Sequence, residues 1–188
     1  MQTHTRILPI ACLWVLAPLT ASAEGWYIEG NAGIDRPDEL EFFGADEFYI
    51  PTIGARTGYQ LTKNWSIEGD LRIGIQDDSA DLGFVGGEAD LGLTYSAGLF
   101  ARASAPLSER LSAHLRIGAF TSEYDIELID VSGTTETNQF TSKPDGLAFG
   151  AGAEYDLSED LYLRTDYTIY ELPGEDSGSL SVGMGLKF

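Results

Sequence analysis

Three observations predict an all-β protein, an eight-stranded antiparallel up-and-down transmembrane β-barrel. Apolar and polar residues alternate with period two in repeated segments, the chain begins with an export signal, and short and long connections alternate. The 188 residues amount to about one domain. No run of 18 apolar residues follows Glu24, so the sequence predicts no transmembrane helix.

The first 23 residues have the composition of a secretory signal peptide. Arg6 gives the segment a positively charged N-terminal region, and a short apolar run follows it. Ala-Ser-Ala at 21–23 is a small-residue cleavage site. Cys12, the single cysteine, lies inside this segment, and a lipoprotein anchor there would discard half of the apolar run. We therefore expect a signal peptide at 1–23 and one cysteine-free barrel domain at 24–188.

Composition excludes several kinds of protein. The chain has 11 basic and 30 acidic residues, a net charge of −19, whereas a nucleic-acid binder needs a basic surface. A lone cysteine excludes a disulfide framework and a cysteine-based zinc site. No acidic run has EF-hand spacing. We expect no cofactor, no metal site and no nucleic-acid partner.

Eight alternating segments are predicted to be strands. In 65–73, for example, odd positions are apolar or Gly, and even positions are Ser, Glu, Asp and Arg. In chain order the segments are 25–34, 49–60, 65–75, 89–103, 111–122, 146–155, 161–171 and 178–188.

The connections between these segments alternate in length. The short ones are 62–64, 104–110 and 156–160, and the long ones are 35–48, 76–88, 123–145 and 172–177. The short connections share the pattern Leu-Thr-Lys-Asn-Trp, Leu-Ser-Glu-Arg-Leu and Leu-Ser-Glu-Asp-Leu, which predicts three equivalent hairpin turns.

The polar face carries nearly balanced charges, which favours a polar lumen and a lipid-facing apolar surface. Its charged or titratable residues are Glu29, Arg56, Glu68, Asp70, Arg72, Arg102, His114, Arg116, Glu154, Arg164, Asp166 and Lys187. Glycines on the same face make room for long side chains in a narrow barrel. They are Gly54, Gly58, Gly92, Gly98, Gly118, Gly150, Gly152, Gly183 and Gly185. The alternative is a soluble sandwich with a solvated polar face.

Aromatic residues lie on the apolar face beside short turns or a terminus. This placement predicts an aromatic girdle at one membrane interface. The girdle residues are Trp26, Tyr59, Trp65, Tyr155 and Phe188. At the opposite end, we expect Phe48 with Tyr49 to belong to an extracellular girdle.

Several segments resemble a known family. Gly-Trp-Tyr-Ile-Glu-Gly at 25–30 resembles the first strand of the OmpA/OmpX-type small outer-membrane β-barrels. Residues 96–107 resemble a central hairpin of that family, and residues 163–167 resemble its seventh strand. The final Leu-Lys-Phe is similar to the outer-membrane assembly signal, and the resemblance covers 24–188.

This resemblance implies a location in the cell outer membrane of a Gram-negative envelope. It implies short turns in the periplasm, long loops outside, and recognition of the C-terminal strand by the assembly machinery. Because the chain stops at the last strand, we expect no periplasmic peptidoglycan-binding domain.

The four long connections and their flanks carry most of the negative charge. They hold 19 acids and two bases, Arg36 and Lys143. Three interpretations remain open: a solvated surface, divalent cations bridging carboxylates to lipopolysaccharide phosphates, and recognition of a basic partner. Loop aromatics would either anchor such a contact or form an extracellular girdle. They are Phe42, Phe43, Phe48, Phe84 and Phe140.

The predicted lumen residues form one polar network rather than a catalytic site. They are Glu68, Asp70, Arg72, Arg102, His114, Arg116, Glu154, Arg164 and Asp166. His114 is the single histidine after the signal peptide, and its parity points into the lumen, away from lipid esters.

We therefore expect a monomeric, non-enzymatic barrel with a structural or surface-interaction role, in contact with outer-membrane lipid and lipopolysaccharide. The first alternative is a small gated pore for ions or small solutes, although eight strands leave little open lumen. The second is an outer-membrane acyl hydrolase.

Overall fold

A computed structural model describes residues 25–37, 48–81, 87–129, 138–171 and 176–188. The predicted signal peptide lies outside these residues. The strands are β1 (Trp26–Pro37), β2 (Ile50–Gln60), β3 (Trp65–Gly74), β4 (Asp78–Asp81), β5 (Glu88–Pro106), β6 (Leu111–Ile129), β7 (Asn138–Ser142), β8 (Asp145–Asp156), β9 (Leu161–Glu171) and β10 (Asp176–Lys187). Within the described ranges, no helix is long and apolar enough to cross a membrane.

Eight of these strands close into one antiparallel barrel. β1 pairs with β2 and with β10, and the ladder continues from β10 through β9 and β8 to β6. On the other side it runs from β2 through β3 to β5. β5 pairs with β6 and closes the ring. The predicted eight-stranded up-and-down barrel is confirmed, and its strands are β1, β2, β3, β5, β6, β8, β9 and β10.

A four-stranded sheet extends the barrel at the end of the long connections. β5 and β6 are 19 residues each, and their outer halves pair with β4 and β7 respectively. We predicted 76–88 and 123–145 to be loops, and this was wrong for β4, β7 and the end of β6. Alternation of acidic and apolar residues continues through 123–129, so the ladder continues as far as Glu88 opposite Ile129.

The three short turns are equivalent, as their sequences predict. In the first, the N–H groups of Leu61 and Thr62 both donate to the carbonyl of Trp65. The Thr62 hydroxyl accepts from the Trp65 N–H at 3.2 Å. Ser108 and Ser158 accept in the same way in the other two turns, each at 3.1 Å. A hydroxyl at this position therefore stabilises each turn.

The burial pattern is inverted relative to that of a soluble protein. Along β3, Glu68 and Asp70 are buried, whereas Trp65, Leu71 and Ile73 point outward and are exposed. From Trp65 to Ile73 the strand rises about 27 Å, or about 21 Å along the axis at a tilt of about 40°. An outward apolar band of this height is that of a membrane barrel and excludes the soluble sandwich.

Two lumen glycines leave space for tyrosine rings. A Cβ at Gly58 would lie 2.1 Å from Cζ of Tyr27, and a Cβ at Gly185 would lie 2.2 Å from Cζ of Tyr162. The two rings meet edge to face, with centroids 6.2 Å apart. Small residues opposite large ones thus let a narrow lumen fill completely.

We predict that Gly58→Ala destabilises the barrel, because the added methyl group overlaps the Tyr27 ring in a packed lumen. The expected loss is about 1–3 kcal/mol of unfolding free energy, measured by urea titration in detergent micelles. Gly30→Ala is the matched control, since a Cβ there meets no atom within 4 Å. Equal midpoints for the two variants would show that the lumen is loosely packed.

Candidate functional site

Arg56 is the central cation of the lumen. Its Nη1 donates to Glu29 Oε1 at 2.8 Å and to Asp166 Oδ2 at 2.9 Å. Its Nη2 donates to Asp70 Oδ2 at 3.0 Å. Glu29 and Asp70 lie opposite Arg56 on the two strands that flank β2, so the register itself brings these charges together.

Arg164 forms a second set of ion pairs at the same level. Its Nη1 and Nη2 donate to the two carboxylate oxygens of Glu68, at 2.6 and 3.1 Å. Its Nε lies 3.0 Å from Asp166 Oδ2, and the Arg164 side chain has no exposed surface. This two-pronged geometry is the strongest that arginine makes with a carboxylate.

Further ion pairs extend the cluster toward both ends of the barrel. At the end with the short turns, Arg102 donates to Glu154 at 2.8 Å. At the other end, Arg72 donates to Asp35 at 2.6 Å and to the Tyr170 hydroxyl at 2.5 Å. The ion pairs therefore span the height of the membrane band.

The buried charges nearly balance. Among the described residues, five buried arginines face six buried carboxylates. They are Arg56, Arg72, Arg102, Arg116 and Arg164, with Glu29, Asp35, Glu68, Asp70, Glu154 and Asp166. A lone buried ion costs several kcal/mol, and mutual pairing in a shared network offsets this cost.

The structure places all nine lumen residues predicted from the sequence inside the barrel. His114 lies 2.6 Å from Asp166 Oδ1 and 3.4 Å from an Arg102 nitrogen. Glu29 and Arg56 were predicted to lie on the polar face but were left out of the predicted network. Strand register was the missing signal, because it pairs these two residues directly.

Asp35 was wrongly counted among the outer-loop acids. β1 continues to Pro37 against β10, and the alternation that points Glu29 inward also points Asp35 inward. Three lumen tyrosines were missed as well, although they share strand parity with predicted lumen residues. They are Tyr27, Tyr162 and Tyr170.

The four-stranded extension has an apolar inner face. Its cluster comprises Phe48, Ile50, Ala80, Ala89, Leu91, Leu93, Tyr124 and Ile126. We expected Phe48 to join Tyr49 in an extracellular girdle, and this was wrong for Phe48. Phe48 is 2% exposed and Tyr49 is 49% exposed. Phe48 has the inward parity of Ile50 and packs in this cluster, so only Tyr49 points outward.

The outer face of the same sheet is acidic. A recess of about 180 Å³ is lined by residues that include Asp77, Asp90, Asp125 and Glu127. Asp125 accepts from Thr94 at 3.0 Å, and Glu127 accepts from Gln139 at 2.7 Å. Within the described ranges, no group of three or more acidic, histidine or cysteine residues could hold a metal ion.

Within the part of the chain that the structure describes, an exposed ion pair adjoins this face. Lys143 Nζ lies 2.9 Å from Glu123 Oε2. The hydrogen bond and negative charge of Glu123 raise the pKa of Lys143 above its usual value. The acids at 38–41 and 46–47, and Asp130, lie outside the described residues.

The five predicted girdle residues are exposed on the outer wall, near the short turns and the chain ends. The rings of Trp26 and Tyr59 lie 5.1 Å apart, and the N–H of Phe188 donates to the carbonyl of Trp26 at 2.8 Å. The other two are Trp65 and Tyr155. Aromatic rings in this position match the belt of a membrane interface.

We predict that Arg164→Ala destabilises the barrel by about 3–5 kcal/mol, because it leaves Glu68 and Asp166 buried with fewer partners. The measurement is the unfolding midpoint in detergent. Lys143→Ala removes an exposed ion pair and should leave the midpoint unchanged. An unchanged midpoint for Arg164→Ala would contradict a stabilising network.

We predict that the two girdle tryptophans lie at the membrane interface. Trp26 and Trp65 are the only tryptophans after residue 23, so intrinsic fluorescence reports their depth. In vesicles, lipids brominated near the headgroup should quench this fluorescence more strongly than lipids brominated near the chain ends, because indole rings favour the interface. Stronger quenching from the bilayer centre would exclude an interfacial girdle.

Comparisons with known proteins agree with this geometry. The sequence model of the family described as Outer membrane protein beta-barrel domain matches residues 8–188. No curated protein sequence matches significantly.

Solved structures of small outer-membrane proteins share the fold at low sequence identity. Ail of Yersinia pestis, in complex with the heparin analogue sucrose octasulfate, is 15% identical over 88% of this chain and 99% of its own, with a TM-score of 0.57. OprG of Pseudomonas aeruginosa is 16% identical over 87% of this chain and 96% of its own, with a TM-score of 0.56. Neisserial surface protein A is 17% identical over 89% of this chain and 100% of its own, with a TM-score of 0.55.

Proposed function

Because the chain belongs to the family of outer membrane protein beta-barrel domains, and so lies in the outer membrane, we propose that it is a closed barrel that binds cationic partners at its extracellular sheet. This proposal rests on the contrast between the lumen and the outer face of the four-stranded sheet. The lumen pairs its charges almost completely, whereas the outer face of the sheet concentrates carboxylates. Pairing offsets the cost of burying charges in the lumen, whereas surface carboxylates without a basic neighbour attract cations.

Several layers support a closed lumen. Tyr27 and Tyr162 cross the lumen near the short turns. The arginine–carboxylate cluster occupies the middle, and the apolar cluster that contains Phe48 occupies the far end. The cavity beside Arg72 and Phe100 has no room for a water molecule. These layers argue against a pore for ions or small solutes.

The acidic sheet favours a basic partner over a polyanion. Ail was solved with a heparin analogue, which is a polysulfate. Among the described residues that line the recess on the outer face, four are carboxylates and none is basic. Like charges would repel a sulfated polysaccharide, so we infer that sulfate binding does not carry over.

Lipid of the outer membrane surrounds the barrel, and the contacts with lipopolysaccharide, divalent cations and the assembly machinery are predictions. We infer that the barrel contacts lipopolysaccharide at its rim, that divalent cations bridge loop carboxylates to lipopolysaccharide phosphates, and that the assembly machinery recognises the C-terminal strand around Phe188. We also infer a monomer, since a single ring of eight strands closes without a second chain.

An acyl hydrolase has little support. His114 is buried in the lumen, and its described hydrogen bonds go to Asp166 and Arg102 rather than to a serine hydroxyl. A lipid ester would have to leave the membrane and enter a filled barrel to reach it. We infer a non-enzymatic protein.

The proposal predicts preferential binding of a polycation. Outer-membrane vesicles that carry the protein should bind fluorescent polylysine more tightly than fluorescent heparin, relative to vesicles without it. The combined variant Asp125→Asn, Glu127→Gln should lower polylysine affinity by about tenfold at low salt and by less at about 0.5 M salt, because screening weakens exposed charge pairs.

A matched control makes the same charge change at the opposite end of the barrel. Glu159→Gln with Asp160→Asn alters a short turn on the periplasmic side, so it should leave polylysine binding to intact vesicles unchanged. Tighter binding of heparin than of polylysine, or equal losses in both variants, would refute a cation-binding extracellular sheet.

A further inference from the structure

The structure separates the basic residues of the chain by position. The sequence has 11 lysines and arginines, and the ten that follow Arg6 all lie within the described ranges. Five of them are the buried arginines of the lumen. Three lie at the end with the short turns, namely Lys63, Arg110 and Lys187. The remaining two lie at the opposite end, Arg36 near the end of β1 and Lys143 between β7 and β8.

Proline follows both of these outer basic residues. The sequence reads Arg-Pro-Asp at 36–38 and Lys-Pro-Asp at 143–145. The other eight basic residues after Arg6 each precede a residue other than proline. Prolines are 7 of the 188 residues, so a chance proline after both outer bases is rare. The four long connections contain no other lysine or arginine.

The residue after a lysine or arginine decides whether a trypsin-like protease can cut there. Such a protease binds the basic side chain in its specificity pocket and attacks the carbonyl that follows it. Hydrolysis adds water across the peptide bond, which gives a carboxylate on the basic residue and an amine on the next residue. Proline at that next position resists the reaction, because its ring replaces the N–H and fixes φ at about −65°.

The bond after Arg36 is also held by the barrel wall. Its carbonyl, which a protease would attack, accepts a hydrogen bond from the Ser177 hydroxyl at 3.2 Å. Pro37 is buried and lies opposite Ser177 in the pairing of β1 with β10. This bond therefore has two kinds of protection, a proline and a paired strand.

The bond after Lys143 lies at an exposed corner between two strands. The Lys143 side chain is 62% exposed, and its ammonium lies 2.9 Å from Glu123. The Pro144 carbonyl accepts from the Ser122 N–H at 2.9 Å. An exposed ion pair stabilises little, so the proline is the main obstacle to cleavage at this corner.

We propose that the extracellular surface of the barrel resists proteases that cleave after lysine and arginine, because proline follows each basic residue there. This proposal rests on the orientation in the proposed function, in which the four-stranded sheet lies outside the cell. Exposed loops are the preferred sites of proteolytic nicking. Resistance of this kind keeps the acidic sheet intact in the presence of such proteases.

The test adds trypsin to intact cells that carry the protein, since the outer membrane keeps the protease outside. Pro144→Ala retains the carbonyl that Ser122 binds and gives Lys143 an ordinary peptide bond on its carboxyl side. We expect wild type to stay intact and the variant to be cut between residues 143 and 144, with a half-life about tenfold shorter than that of wild type. Mass spectrometry of the fragments identifies the cleaved bond.

The matched control is the double variant Lys143→Gln, Pro144→Ala. It has the same backbone without the basic side chain, so trypsin should leave it intact. Heat-dependent gel mobility verifies that all three proteins are folded. Heat-unfolded wild type should be digested at its lumen arginines, which shows that the protease is active. Polylysine binding should be equal for wild type and Pro144→Ala, because the acidic residues are unchanged.

The opposite outcomes distinguish this inference from the proposed function. An uncut Pro144→Ala variant, equal cleavage of the single and double variants, or cleavage of wild type after Arg36 or Lys143 would overturn the protection by proline. The cation-binding function would stand in each of these cases if polylysine still binds. Cleavage of wild type after Lys63 or Arg110 on intact cells would place the short turns outside, and it would overturn the function and this inference together.

Discussion

The pairing of buried charge in a narrow lumen is the constraint on which the rest of the structure depends. An eight-stranded barrel in a membrane points one face of every strand inward, and that face cannot be solvated by bulk water. Arg56 and Arg164 meet this constraint by pairing with four carboxylates from three different strands. The ring of strands and its polar interior are therefore mutually dependent, since strand register sets which charges meet.

Side-chain volume follows from the same constraint. Glycines opposite large side chains help the lumen to fill, as Gly58 does for Tyr27 and Gly185 for Tyr162. Outside the lumen, carboxylates are concentrated on the outer face of the four-stranded extension, where water solvates them. One barrel thus combines a core of nearly balanced charge with an acidic outer face.

Period-two parity made the eight barrel strands and the lumen face predictable, because an error of one residue would turn every buried charge toward lipid. Parity could not reveal β4 and β7. They are only four and five residues long, which is too short for a clear alternation. Each of them is held in the sheet by pairing with a longer strand, β4 with β5 and β7 with β6. It also failed at Phe48, because the inner face changes from charged to apolar above Thr52, and an inward phenylalanine there has the sequence pattern of a girdle residue. The partners of Arg56 needed register, which a single strand does not contain.

We infer that paired charges and packed side chains close the lumen. Single-channel conductance of the refolded protein in a planar bilayer tests this inference, with insertion verified by the change in gel mobility on heating. A closed lumen predicts a silent bilayer, with and without millimolar Ca²⁺. Frequent, resolvable conductance steps from the inserted protein would show an open lumen and would contradict it.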